Sequence, residues 1–247
     1  AGSANNGNKV VTSAININMD TADSVWTGVG YNQFPIEGIT DSTGTYKGEL
    51  NLQLSNGATW NNEKAGEVAI PNADWGNAGI PFKGSHITKF TGGSTTSAGN
   101  IYQNDSNALT IDNYSGVTNV FYANNANGDF SAYGDTIIKH AEEKSAINLI
   151  TSSNGPLTSD SISGILNALA GKLTYEAYAK NEHNLTGTAK IAGGLTSDSV
   201  VMALGNIVFD ESTGKGTGVS GIDIAGAPDH QVATTINSTL TGDADKD

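Results

Sequence analysis

At 247 residues the chain is long enough for one extended domain or two compact ones, and its 37% hydrophobic and 15% charged residues fall below globular averages while Gly reaches 31. The formal net charge is −13, and all 12 cations are Lys, with no Arg anywhere. An anionic surface without guanidinium forks or basic clusters excludes nucleic acid as a partner and disfavours acidic substrates and anionic lipid headgroups.

There is no Cys, which fits either an intracellular life or export of an unfolded chain through a pore. No run approaches the roughly 18 consecutive apolar residues of a membrane span, so membrane insertion by this chain is not expected. The N-terminus lacks a charged region followed by an apolar one, and the chain reads as a mature or excised piece with its targeting and anchoring signals outside it.

Period-two alternation recurs over residues 1–156, punctuated by Gly, Asn, Asp and Ser. Residues 11–19 (VTSAININM) predict a strand with one apolar face, and 49–54 (ELNLQL) repeat the pattern. Ser55-Asn56-Gly57 then brings turn chemistry before Ala58-Thr59-Trp60 resumes. An Asn-Gly pair closes a two-residue hairpin as readily as it turns a solenoid corner, so the dipeptide alone does not choose between them. Further strands are predicted at 86–90, 108–114, 117–122, 135–140 and 146–150. Many short strands without intervening helices indicate an all-β repeat architecture or a sandwich. Loops such as 124–129 (NNANGD) are rich in residues that tolerate left-handed backbone angles.

After Pro156 the texture changes. Ile162, Ile165, Leu166, Leu169 and Ala170 fall on one helical face, with Gly171 as the stop, and this is the one amphipathic helix expected. The LTSDS pentapeptide at 157–161 returns at 195–199, 38 residues later, ahead of Val200, Val201, Ala203 and Leu204. Residues 185–193 (LTGTAKIAG) are echoed in 216–226 (GTGVSGIDIAG). These echoes make 157–247 a degenerate repeat region, expected to continue the solenoid of 1–156.

The run at 48–61 (GELNLQLSNGATWN) resembles an element of pertactin-like autotransporter passengers, in which a strand leads into an N-G-A-T-W corner. Residues 108–119 (ALTIDNYSGVTN), followed by 134–139 (GDTIIK), are similar to the region near the end of such passengers. The segments 173–178 (LTYEAY) and 184–199 look like repeats of large surface autotransporters. The resemblance implies a right-handed parallel β-helix, with a short helix-containing C-terminal part here. It also implies export through a C-terminal barrel, which this chain lacks, and a role in adhesion or aggregation.

Candidate chemistry is sparse. His86, His140, His183 and His230 show no ligand spacing, so no metal site is expected and no cofactor is implied. Asp105, Asp112, Asp129 and Asp135 are the carboxylates a glycan-cleaving β-helix would draw on, but none forms a close pair. The loops Asp41-Ser42-Thr43-Gly44 and Asn127-Gly128-Asp129 lack the full calcium-loop pattern and read as turns. Trp26, Tyr31, Tyr46, Trp60, Trp75 and Phe82 concentrate in the first third. Trp60, at the end of an alternating strand, is assigned to the core. Trp26, Tyr31 and Trp75 are the candidate exposed aromatics for binding a sugar or a protein.

The expectation is therefore a non-enzymatic fragment of an extracellular, outer-membrane-anchored surface protein. Its partners would be a surface protein or glycan of host or bacterium, or further copies of itself. The rivals are a polysaccharide lyase or glycoside hydrolase on a β-helix, and a surface-layer or fibre subunit.

Overall fold

The computed structural model describes residues 10–31, 45–64, 84–123, 128–142, 144–153, 159–175, 184–192, 200–210, 219–225 and 236–239. Strands come in successive pairs: β1 (Val10–Met19) and β2 (Val25–Thr27), β3 (Thr45–Leu54) and β4 (Thr59–Asn62), β5 (Ser85–Gly92) and β6 (Gly99–Gln103), β7 (Leu109–Ser115) and β8 (Val117–Tyr122), β9 (Thr136–Ala141) and β10 (Ala146–Ser153). After these come α1 (Ser159–Ala170), β11 (Leu173–Tyr175), β12 (Asn184–Ala192), β13 (Val200–Asp210), β14 (Val219–Ala225) and β15 (Ile236–Thr239). The chain is thus mostly β-strand in parallel sheets, with one short helix.

The first member of each pair joins one sheet, ordered β1-β3-β5-β7-β9-β11, and the second member joins another, ordered β15-β14-β12-β13-β10-β8-β6-β4-β2. Every pairing in the first sheet is parallel, and so is every pairing from β2 to β10 in the second.

Local chemistry explains the corners. Asn56 (φ 52°) and Gly57 (φ 79°) both take the left-handed region, and Ala58 N–H closes the turn on Ser55 O at 3.0 Å. These angles suit a tight turn, yet β3 and β4 lie in different sheets, so Asn-Gly here is a corner and not a hairpin. Between β7 and β8 the corner shrinks to Gly116 (φ 77°), where a Cβ would lie 2.6 Å from Gly92 O.

Inside, like stacks on like. Ile17, Leu52, Phe90, Tyr114 and Ala141 share one register row across β1, β3, β5, β7 and β9. The Phe90 and Tyr114 rings stack at 5.6 Å. The alternation breaks at equivalent points of β5, β7 and β9: Thr88 and Lys89, Asp112 and Asn113, Lys139 and His140 are each successive residues kept out of the core before Phe90, Tyr114 and Ala141 return inward. Ile15 shares the parity of Ile17 but is 64% exposed, on the strand that ends its sheet.

A buried polar seam runs beside this apolar column. Ser85 Oγ donates to Asn62 Oδ1 (2.5 Å) and accepts from Gly30 N–H and Asn107 Nδ2 (both 3.1 Å). Asn62 Nδ2 donates to Gln103 Oε1 (2.5 Å), Gln103 Nε2 donates to Thr136 Oγ1 (3.3 Å), and Tyr122 OH lies 2.8 Å from Thr136 Oγ1. Burial pushes the Tyr122 phenol well above its ordinary pKa, so it remains a neutral hydrogen-bonding group.

The helix forms where its periodicity predicts. Ile162, Ile165, Leu166 and Leu169 are buried in the same apolar cluster as the strands, and Gly171 N–H bonds back to Asn167 O at 3.1 Å. Beyond it the second sheet changes mode, since β13 pairs antiparallel with both β10 and β12. Residues 159–161 of the first LTSDS copy open α1, whereas the second copy lies outside the described residues and the chain after it enters β13. The 185–193 and 216–226 echo has a direct structural meaning: β12 and β14 pair in parallel with Ile191 opposite Ile224 and Ala192 opposite Ala225.

Two glycine substitutions should move stability in opposite directions. A Cβ at Gly134 would lie 2.3 Å from Ala108 N, so Gly134→Ala should lose about 3 kcal/mol. Gly164, in α1, has nothing within 4 Å, so Gly164→Ala should gain about 0.5–1 kcal/mol. Urea melts of both variants check the signs. In the same assay Asn62→Ala, which strips partners from buried Ser85, Gln103 and Asn107, should cost about 3 kcal/mol, while Asn51→Ala should stay within about 0.5 kcal/mol.

Candidate functional site

The outer face of the first sheet carries the most organised polar surface. Parallel register places Asn16, Asn51, Lys89, Asn113 and His140 in one row across β1, β3, β5, β7 and β9. Asn18, Gln53, Thr91 and Ser115 make a second row two residues further along the strands. Asn51 Nδ2 donates to Asn16 Oδ1 at 3.0 Å, so the amides form a rung-to-rung ladder. Between Asn16, Asn18, Asn51, Gln53, Lys89 and Thr91 lies a groove of about 320 Å³, while the side chains of the intervening Ile17 and Leu52 pack toward the core.

Further along the same sheet a charge cluster spans three strands. Asp112 Oδ1 of β7 accepts from His86 Nε2 of β5 (2.7 Å) and Lys139 Nζ of β9 (3.0 Å). Partial burial works to raise the Asp112 pKa, but the hydrogen bonds from His86 and Lys139 outweigh it and hold the carboxyl below its ordinary value. Asn113 Nδ2 donates to Thr88 O at 3.1 Å and ties the edge of this cluster to the backbone of β5.

The other candidate carboxylates have structural partners. Asp105 accepts from the N–H groups of Lys64 (2.6 Å) and Asn107 (2.7 Å). Asp129 accepts from Ser131 N–H at 2.9 Å, which closes a local turn, and hydrogen bonds from the Ser131 side chain and backbone lower the Asp129 pKa. Asp135 pairs with Lys172 at 2.9 Å. Among the described residues no group of three or more His, Asp or Glu is placed to hold a metal ion.

The predicted aromatics are dispersed. Trp60 is fully buried, with its Nε1 donating to Gly28 O at 2.9 Å. Trp26 is half-buried, its ring lying parallel to that of Trp60 with centroids 4.8 Å apart. Tyr31 sits half-buried beside β5, bridged to His86. Trp75, Phe82, His183, His230 and the loop at 41–44 lie outside the described residues.

Sequence reading missed an aromatic pair on the second sheet. Tyr102 and Phe121 stack at 4.5 Å on adjacent strands, each covering a face of the other. Beside them runs another amide ladder, from Asn148 Nδ2 to Asn119 Oδ1 (2.8 Å) and from Asn119 Nδ2 to Asn100 Oδ1 (3.0 Å). The signal was present as a recurring tripeptide: Asn100-Ile101-Tyr102, Asn119-Val120-Phe121 and Asn148-Leu149-Ile150. Each copy puts an amide and a large apolar group outward around one core residue.

Compared with known proteins, the chain matches no protein-family model, no curated protein and no solved structure.

The Asp112 cluster makes a pH prediction. A carboxyl whose folded pKa lies below its unfolded value stabilises the fold above the unfolded pKa, and that contribution is lost as pH falls through the folded one. Asp112→Asn should therefore lower the urea midpoint at neutral pH, and the gap from the unsubstituted chain should close as pH falls through and below the ordinary carboxyl range.

Proposed function

We propose that the two sheets are walls of a right-handed parallel β-helix, and that the chain is a non-enzymatic adhesive module of the bacterial cell surface, similar to an autotransporter passenger. The observation that carries this reading is the strict alternation of strands β1 to β10 between two parallel sheets, the pattern of a chain that coils and stacks on itself. Right-handedness follows from the general preference of connections between parallel strands of one sheet.

Such a stack leaves long outer walls made of amides, hydroxyls and a few charges. A surface of this kind binds through many individually weak hydrogen bonds, and its affinity grows when copies are displayed together. Its partner is a surface glycan or protein outside the cell. The absence of Cys accords with export before folding.

Beads densely coated with the chain should attach to bacterial or host cell surfaces or to immobilised glycans. The monomer should bind at least about a hundredfold more weakly. Joint substitution of Asn51 and Gln53 by Ala should release the beads without shifting the urea midpoint. Depolymerisation of a polysaccharide by the soluble chain, without retention on it, would replace this reading with that of a glycan-active enzyme.

A further inference from the structure

We infer that the groove across β1, β3 and β5 takes a carboxylate-bearing saccharide, with Lys89 as its counter-charge. The inference rests on the adhesive reading above and narrows its ligand class.

Charge supplies the first argument. The chain carries a formal −13, yet Lys89 is the one charged side chain among the residues lining the groove. Glu49 precedes Asn51 by two residues on β3 and does not line it. Lys139 and Lys172 each hold an aspartate, whereas Lys89 is exposed and makes no ion pair with any described residue. Screening beyond about 8 Å at physiological salt leaves the immediate neighbours, and not the net charge, to set the field at a bound group.

The lining supplies the second. Asn16 and Asn51 are held in place by their mutual hydrogen bond, which leaves an amide donor on Asn16 and acceptor capacity on Asn51. Asn18, Gln53 and Thr91 add groups of both kinds along the second row. Paired donors and acceptors suit vicinal hydroxyls, which need both. Neighbouring strands about 4.8 Å apart repeat these groups across the groove, an arrangement matched to a chain of sugars more than to an isolated anion.

The test titrates the whole chain with trigalacturonate, with its methyl ester, and with sodium acetate, following amide chemical shifts. The acid should bind about fivefold to tenfold more tightly than the ester, and the perturbed amides should lie on β1, β3 and β5. Lys89→Gln should abolish that preference while leaving ester binding in place, and added salt should weaken only the acid. Equal binding of acid and ester, a preference that survives Lys89→Gln, or displacement by acetate at equal concentration overturns the inference. If no saccharide binds while coated beads still attach to cells, the groove assignment fails and the adhesive reading stands; if the beads fail as well, both fall.

Discussion

Backbone hydrogen bonding between successive parallel strands is the constraint on which the structure depends. In the first sheet it runs from the β1–β3 pairing to the β9–β11 pairing with no reversal of direction. Each strand is held mainly by its neighbours before and after it, so the interior can stay thin. This is how a chain of 37% hydrophobic residues builds a continuous core: Leu52 stacks on Phe90, and Phe90 on Tyr114. The same pairing places apolar residues beside apolar ones inside and brings the outward amides of Asn16 and Asn51, and of Asn100, Asn119 and Asn148, into hydrogen-bond reach.

The buried seam of Ser85, Asn62, Asn107, Gln103 and Thr136 shows the other side of this economy. Strand ends and the loop at Asn107 reach the interior, and their polar groups need partners there. The seam supplies those partners from four different strands and one loop. A network satisfied in this way fixes the relative position of the strands that join it, because a shift of one strand leaves several buried donors without partners at once.

Under the proposed reading, function lies on the outer faces of the two sheets. A face assembled from repeated Asn, Gln, Thr and Ser is weakly charged, well hydrated and densely supplied with both donors and acceptors. Its local character differs from the global one: the net charge argues against acidic ligands, while the groove beside Lys89 is free of lining carboxylates. The predicted aromatic strip has a different fate. Trp26 spends one ring face on Trp60, and Tyr102 and Phe121 each spend one on the other, so stacking along the sheets takes up part of the flat surface that a sugar would otherwise use.

The positions of β1, β3, β5 and β7 to β10 and the helix at 159–170 were legible from periodicity, because that signal arises between near neighbours; β6 was not, and the 185–193 and 216–226 echo was legible as repetition while its parallel register was not. Trp60 as a core residue was legible for the same reason. The role of Asn56-Gly57 was not: its backbone angles serve a hairpin and a corner alike, and only the assignment of β3 and β4 to separate sheets decides. The outward pairs at Thr88-Lys89, Asp112-Asn113 and Lys139-His140 also defeat a period of two. Above all, His86, Asp112 and Lys139, like Asn16, Asn51 and Lys89, become neighbours only through strand register. The amino-acid order determined which segments extend, coil or turn; the groove and the charge cluster exist because parallel pairing joins residues that are distant along the chain, and that pairing is a property of the folded stack.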